Sequence, residues 1–286
     1  MPTRIEIMGM EVDRLSEHDV VDRVDRALER GNGGWVITPN LDHLHTFRSD
    51  AAVRRMFQRA DVVVADGMPL VWASRLLGAP LPERVAGSDL IWSLTERAAA
   101  GNRSVFLLGG APGVCDEAAR RLCEAFPQLR VAGTLCPPHG FERERGWYAR
   151  IAEELERTRP DIVYVGLGFP KQERLIGELR PQFPRTWFLG IGISISFVAG
   201  DVSRAPRWMQ RSGLEWLHRL AQEPRRLVRR YLLIGIPFAA RLLLWSALHG
   251  PASPREPAYV QEELSYDAAS EALTGVQEPV ATGPSG

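Results

Sequence analysis

Short runs of buried-type residues, most of them followed by a helix-length amphipathic stretch, constrain this chain more than any other feature. The runs are "RIEIMG", "GWVIT", "DVVVAD", "SVFLLGG", "RVAGTL", "DIVYVGLG" and "TWFLGIG". Between them lie segments such as "EHDVVDRVDRALERG" and "GVCDEAARRLCEAF", whose apolar residues recur at helical spacing. This alternation predicts an α/β fold: a mostly parallel, Rossmann-like sheet flanked by helices. The runs carry little polar alternation, so both sheet faces must be covered. A chain of 286 residues that is 45% hydrophobic has the apolar material to do so.

After about residue 200 only helix-like segments remain. The sequence therefore divides into an α/β domain at 1–200, a basic and apolar helical appendage at 201–249, and a Pro-, Ala-, Glu- and Ser-rich acidic tail at 250–286, expected to be disordered. The formal charge of zero hides this division. Residues 201–249 hold nine Arg against one Asp and two Glu, whereas 250–286 hold one Arg against six acids. No global positive field exists, and the appendage arginines alternate with aliphatic residues and Trp, so nucleic acid is not an expected partner. Lys171 is the only lysine, a sign of genome bias. Cys115, Cys123 and Cys136 are odd in number and lack C-x-x-C spacing, which argues for a reducing cytoplasm over a disulfide framework or a zinc site. The start "MPTRIEIMGMEVDRL" has no apolar signal core.

In open parallel sheets ligands gather at the carboxyl ends of strands, where Thr38, Asp66, Gly109, Gly110, Gly166 and Gly168 fall. "LLGGAPG" and "VGLGFPKQE" each precede a helix whose first amides could hold phosphate oxygens, or they are tight strand-to-helix turns and nothing more. Neither completes a dinucleotide or P-loop fingerprint. In "DVVVADGMPLVWASRLLGAPLPERVAG", Asp66 ends a buried run; it is either the cap of the next helix or a chemical tool. Thr38 and Asn40 in "VITPNLDHL", and Arg84 in "LPERVAG", bring polar side chains from successive connections to the same edge, as a sugar and a diphosphate would require. His43 and His45 at H-x-H spacing on a helix face different directions and suit core or surface roles better than a metal. The chain has no D-x-D to hold a divalent ion on a diphosphate, and no G-x-S-x-G elbow.

The segments "TPNLDHL", "ADGMPLVWASRLLGAPLPERVAGSDL", "VFLLGGAPG", "VGLGFPKQE" and "SFVAGDVSRAPRWMQRSGLEWLHRLAQEPRRLVRRYL" resemble, in order and spacing, the WecG/TagA/CpsF family of bacterial glycosyltransferases, over roughly residues 1–233. That resemblance implies metal-free, inverting transfer of a sugar, typically N-acetylmannosamine or its uronic acid. The sugar would pass from a UDP-sugar to a polyprenyl-diphosphate-linked acceptor, in surface polysaccharide or teichoic-acid-type synthesis. It makes Asp66 the base, with Thr38 and Asn40 beside it in the pocket and Gln172 on the donor; the position at the strand ends adds Arg84, Gly109, Gly110 and Gly166 around the substrates. Arg219, Arg226 and Arg229 would close over the diphosphate. No cofactor beyond the donor is implied, and a homo-oligomer is compatible with it. A non-catalytic nucleotide-binding scaffold of the same fold would need none of these groups. One departure is the run "LLIGIPFAARLLLWSALHG" after Tyr231, which the shared pattern does not include. It is barely long enough to span a bilayer and holds Pro237 and Arg241, so a peripheral position on the inner face of the cell membrane, against anionic lipid, is the expectation.

Overall fold

The computed structural model describes residues 4–211 and 213–250, with the backbone alone at residues 145, 207, 211 and 226. Beyond residue 250 the expected acidic tail lies outside the described residues.

The first apolar run behaves differently from the rest. β1 (Arg4–Ile7) pairs antiparallel with β2 (Met10–Asp13) in a hairpin apart from the main sheet. The sequence explains this: "RIEI" alternates polar and apolar, so Ile5 and Ile7 are buried while Arg4 and Glu6 face outward, the pattern of a one-sided strand. The other six runs form one all-parallel sheet from β3 (Gly34–Ile37), β4 (Val62–Val63), β5 (Ser104–Gly109), β6 (Arg130–Leu135), β7 (Ile162–Gly166) and β8 (Trp187–Gly190), in the order β4-β3-β8-β7-β5-β6. The hairpin protects the edge at β4, since Asp13 accepts the otherwise free Val63 N–H at 2.8 Å and is itself held by Arg4 at 2.8 Å.

Helices cover both faces. In chain order they are α1 (Glu17–Glu29), α2 (Leu41–Ser49), α3 (Ala51–Gln58), α4 (Met68–Leu76), α5 (Gly87–Ala100), α6 (Val114–Ala125), α7 (Arg145–Thr158), α8 (Lys171–Leu179) and α9 (Ser194–Ala199). Period-two geometry splits each strand between two cores. Val105 and Leu107 of β5 face α1, α5, α6 and α9, while Phe106 and Leu108 face α2, α3, α4, α7 and α8. Each such side chain, fully withdrawn from water, stabilises the fold by roughly 1.5–3 kcal/mol.

The appendage is helical, as expected: α10 (Arg207–Arg211), α11 (Glu215–Gln222), α12 (Pro224–Val228), a π-helical stretch Arg229–Gly235, and α13 (Ile236–His249). Pro237 does not break this rod; the turns just before it, Arg229–Gly235, take the wider π-helical form, and the chain continues from there into α13. Phe238 and Leu242 of α13 join the core beside α4. Leu233, Leu244 and Leu248 on the outer side are mostly exposed. The 21-residue helix Arg229–His249 is long and apolar enough to cross a membrane by length and composition.

Candidate active site at the carboxyl ends of the strands

Two backbone contacts assemble the mouth of β4. Asp66 N–H donates to Pro39 O at 2.8 Å, joining the connection after β3 to the one after β4, and Val85 N–H donates to Ala65 O at 2.9 Å, seating the loop that carries Arg84. Gly67 follows in extended backbone, with room for a Cβ in ordinary contact 3.5 Å from Asn40 Cα.

Asp66 is not a helix cap. Gly67 occupies the cap position of α4, and the Asp66 carboxylate accepts from Arg84 Nη1 at 3.2 Å. The same Nη1 donates to Glu215 Oε2 at 3.3 Å, and Nη2 donates to Asp89 Oδ2 at 3.2 Å. Arg204 completes the cluster, bonded to Asp89 at 2.7 Å and lying 3.8 Å from Glu215, with its Nε and Nη2 buried and without a hydrogen-bond partner. Two cations therefore face three carboxylates. Asp66 keeps 27% of its side chain open to solvent, yet the protein packed around it pushes its carboxyl up to about 7. Burial is the main cause; Arg84 and Arg204 oppose it, while Glu215 and Asp89 add to it. Such a group is half ionised near neutrality, the condition that suits a general base.

The other expected residues divide by what they touch. Thr38 is nearly buried and its hydroxyl has no side-chain partner among the described residues, so it is open to a ligand. Asn40 caps α2, accepting from Asp42 N at 3.0 Å and His43 N at 3.4 Å. His43 is buried against Phe169 and held down to about 3 by burial, with Arg230 adding to the effect, so it is a neutral ring; His45 is exposed and meets Phe238 edge-on.

The strand-end glycines pack closely. A Cβ on Gly109 would stand 2.4 Å from Gly166 O, and one on Gly166 would stand 2.8 Å from Gly192 O. Those two glycines let neighbouring strand ends close together, and they are not an open cradle. Gly110 is likewise closed in, with a Cβ falling 3.3 Å from Val114. In the turns that follow β5, β7 and β8, Gly113, Gly168 and Gly192 have open space, all at positive φ. Gln172 differs from expectation. Its Oε1 accepts from Gly168 N at 3.2 Å and Gly192 N at 3.1 Å, and its Nε2 donates to Glu173 at 2.8 Å. Being 3% exposed, it braces two turns and is not free to grip a donor. Glu173 beneath it is 1% exposed, has one unpartnered oxygen, and is pushed up to about 7 by burial.

Of the appendage arginines, Arg219 is half-buried and Arg229 exposed, and neither has an ion-pair partner among the described residues. The side chain of Arg226 lies outside the described residues. Arg230, which was not singled out in the sequence, reaches back to Asp42 at the start of α2 at 2.7 Å. A cleft of about 840 Å³ is lined by Arg84, Asp89 and Arg204 together with Met68, Trp92 and Phe126. Glu17, Glu83 and Glu96 add negative charge to its wall, and neither Asp66 nor the strand-end glycines line it, so it is a poor place for a diphosphate.

Asp89, Arg204, Glu215, Glu173 and Arg230 thus belong to the site region without having been assigned to it from sequence. The available signal was an acid, Glu215 in "GLEWL", inside a segment otherwise dominated by arginine.

Comparison with known proteins agrees with this geometry. The profile described as "Glycosyl transferase WecG/TagA/CpsF family" matches residues 5–252, so it runs past Tyr231, where the sequence resemblance was expected to stop, and takes in α13. A Bacillus spizizenii protein named N-acetylglucosaminyldiphosphoundecaprenol N-acetyl-beta-D-mannosaminyltransferase is 33% identical over 210 residues, covering 73% of this chain and 78% of its own length. Proteins of the same name from Bacillus subtilis and Staphylococcus aureus are 29% and 28% identical, over 82% and 79% of this chain and 84% and 87% of their own.

Proposed function

We propose that this chain, which belongs to the WecG/TagA/CpsF family of glycosyl transferases and is a hexosyltransferase, moves an N-acetylmannosamine-type sugar from a UDP-sugar to a polyprenyl-diphosphate-linked N-acetylglucosamine, with inversion and without metal. The observation that carries the reading is Asp66: a carboxyl poised at about 7, at a strand mouth, beside the free hydroxyl of Thr38.

In the proposed step Asp66 takes the proton of the acceptor hydroxyl as its oxygen attacks the anomeric carbon. The bond from that carbon to the diphosphate breaks on the opposite face, and UDP leaves. One base and one displacement give inversion. The departing charge needs fixed cations, and arginine offers two parallel donors that stay protonated. Among the described residues Arg219 and Arg229 carry no ion pair to give up, which suits them to that work. The open turn at Gly113, at the start of α6, suits close approach of backbone amides to donor phosphates.

The acceptor's lipid lies in a membrane, and the appendage fits one. The exposed apolar side of Arg229–His249 includes Leu233, Leu244 and Leu248, and Arg225 and Arg229 are exposed at its start. Since α13 also packs on α4, peripheral attachment to the inner leaflet reconciles both contacts.

A screen of UDP-sugars against a short-chain polyprenyl-diphosphate N-acetylglucosamine, with and without EDTA, tests the reaction. Transfer of the mannosamine-type sugar in excess chelator is expected; a requirement for magnesium or manganese, or no transfer from any UDP-sugar, refutes it. Flotation with anionic liposomes tests attachment, with binding expected at low salt and release at high salt.

A further inference from the structure

We propose that Glu215 is a positioning residue: when α11 is seated, it competes with Asp66 for the charge of Arg84, whose Nη1 donates to both, and so couples docking of the C-terminal helices to release of the base. The proposal rests on the glycosyl-transfer reading for its consequence, but its geometry stands apart from that reading. Arg84 Nη1 lies 3.2 Å from Asp66 Oδ1 and 3.3 Å from Glu215 Oε2, so one nitrogen is divided between a carboxylate of the α/β core and a carboxylate of the appendage. All three side chains are largely buried, at 27%, 20% and 15% exposure for Asp66, Glu215 and Arg84, which keeps water from screening the competition. Arg204 holds the arrangement from the other side, bonding Asp89 and standing 3.8 Å from Glu215.

The consequence follows from charge. Without Glu215, the nearest groups facing Asp66 are Arg84 and Arg204, with Asp89 as the remaining acid, and the charge of Arg84 is shared by two carboxylates in place of three. A carboxylate so paired is a weak base. With Glu215 in place Arg84 is shared more thinly, a like charge faces Asp66, and Asp66 accepts a proton more readily. Seating the appendage would then do two things at once: bring arginines toward the diphosphate and make the base competent. A chain whose helices are undocked would hold Asp66 quenched by Arg84, which guards against idle hydrolysis of the donor.

The test is a titration of Asp66 by carboxyl carbon NMR in the full chain without substrates, alongside the pH dependence of kcat/KM. In the parent protein the midpoint is expected near 7. In Glu215→Gln it should fall by on the order of one pH unit, the acid limb of kcat/KM should move down with it, and the plateau rate should drop several-fold. Glu215→Asp, which keeps the charge, should restore the midpoint at least in part. A purely structural role would lower the rate and leave the midpoint in place; an unmoved Asp66 midpoint in a folded Glu215→Gln protein overturns the proposal. Because the NMR midpoint needs no turnover, a failure of the glycosyl-transfer reading would show separately, as absent transfer with the midpoint shift intact.

Discussion

The mouth of β4 and the mouths of β7 and β8 each hold one carboxyl group that burial has pushed up to about 7, and they differ in what surrounds it. Asp66 meets Arg84, stands opposite Glu215 and Asp89, and keeps a path to solvent. Among the described residues Glu173 has the Gln172 amide as its side-chain partner and no ion pair, and it is closed off. Burial alone raises both groups, so a raised value does not make a base. Access to a substrate proton, and charges that can change as elements dock, separate the chemical carboxyl from the structural one.

The sharpest way to break this comparison is to remove each carboxylate in turn. Asp66→Asn keeps the shape of the side chain and is expected to reduce turnover by about two to four orders of magnitude with the fold intact. Initial rates of UDP release, with circular dichroism as the fold control, measure it. Near-normal turnover in the variant would place the base elsewhere.

Glu173→Gln should act on stability and hardly on rate. Its folded-state value stands above the ordinary 4.5, so between about pH 4.5 and pH 7 the folded protein keeps a proton that the unfolded chain has lost. Stability therefore falls as pH rises through that window, with no penalty below it and the full penalty above it. At about 1.4 kcal/mol per pH unit, Glu173→Gln should gain up to about 3 kcal/mol at pH 8 and little at pH 4.5. Denaturant titrations at the two pH values decide; an equal effect at both would mean that Glu173 does not titrate in this window.

Gln172→Ala comes next in size. It leaves the Gly168 and Gly192 N–H groups without their acceptor, at a cost of about 1–3 kcal/mol, and loosens two turns at once. A raised KM for donor with a smaller change in kcat is expected, and Gln172→Glu, which sets a second buried carboxyl against Glu173, should recover little of the stability. A variant that loses no stability would remove the bracing role.

These residues also mark where the sequence was readable. The parallel strands were, because runs such as "VFLL" can only be buried on both sides, and Thr38, Asp66 and Arg84 could be placed because strand ends collect at one edge. The hairpin was obscured because "RIEI" is as apolar as a short strand but alternates. The close packing at Gly109 and Gly166 was not legible, because sequence shows a missing Cβ but not the carbonyl it makes room for. Glu215 and Arg204 were missed for another reason: an ion cluster joining the appendage to the loop of Arg84 exists only after the chain has folded, and neither residue has a local pattern that announces it.

Asn40 offers the finest test of the contrast between chemical and structural roles, since a single side chain carries a claim to each. Its Oδ1 satisfies the Asp42 and His43 amides at the start of α2 and lies 2.8 Å from His43 Nδ1, which defines a cap. Its Nδ2 has no hydrogen-bond partner among the described residues, and the loop it sits on is bonded to Asp66 N–H through Pro39 O. Asn40→Ala should cost about 0.5–2 kcal/mol through the lost cap and also raise KM a few-fold. Asn40→Ser separates the two, because a serine hydroxyl caps about as well as an amide but offers no N–H2 group to a sugar or phosphate. The expected result is restored stability with KM still raised. Recovery of both in Asn40→Ser would reduce Asn40 to a cap, and would leave Thr38 and Arg84 as the side chains that orient substrate beside Asp66.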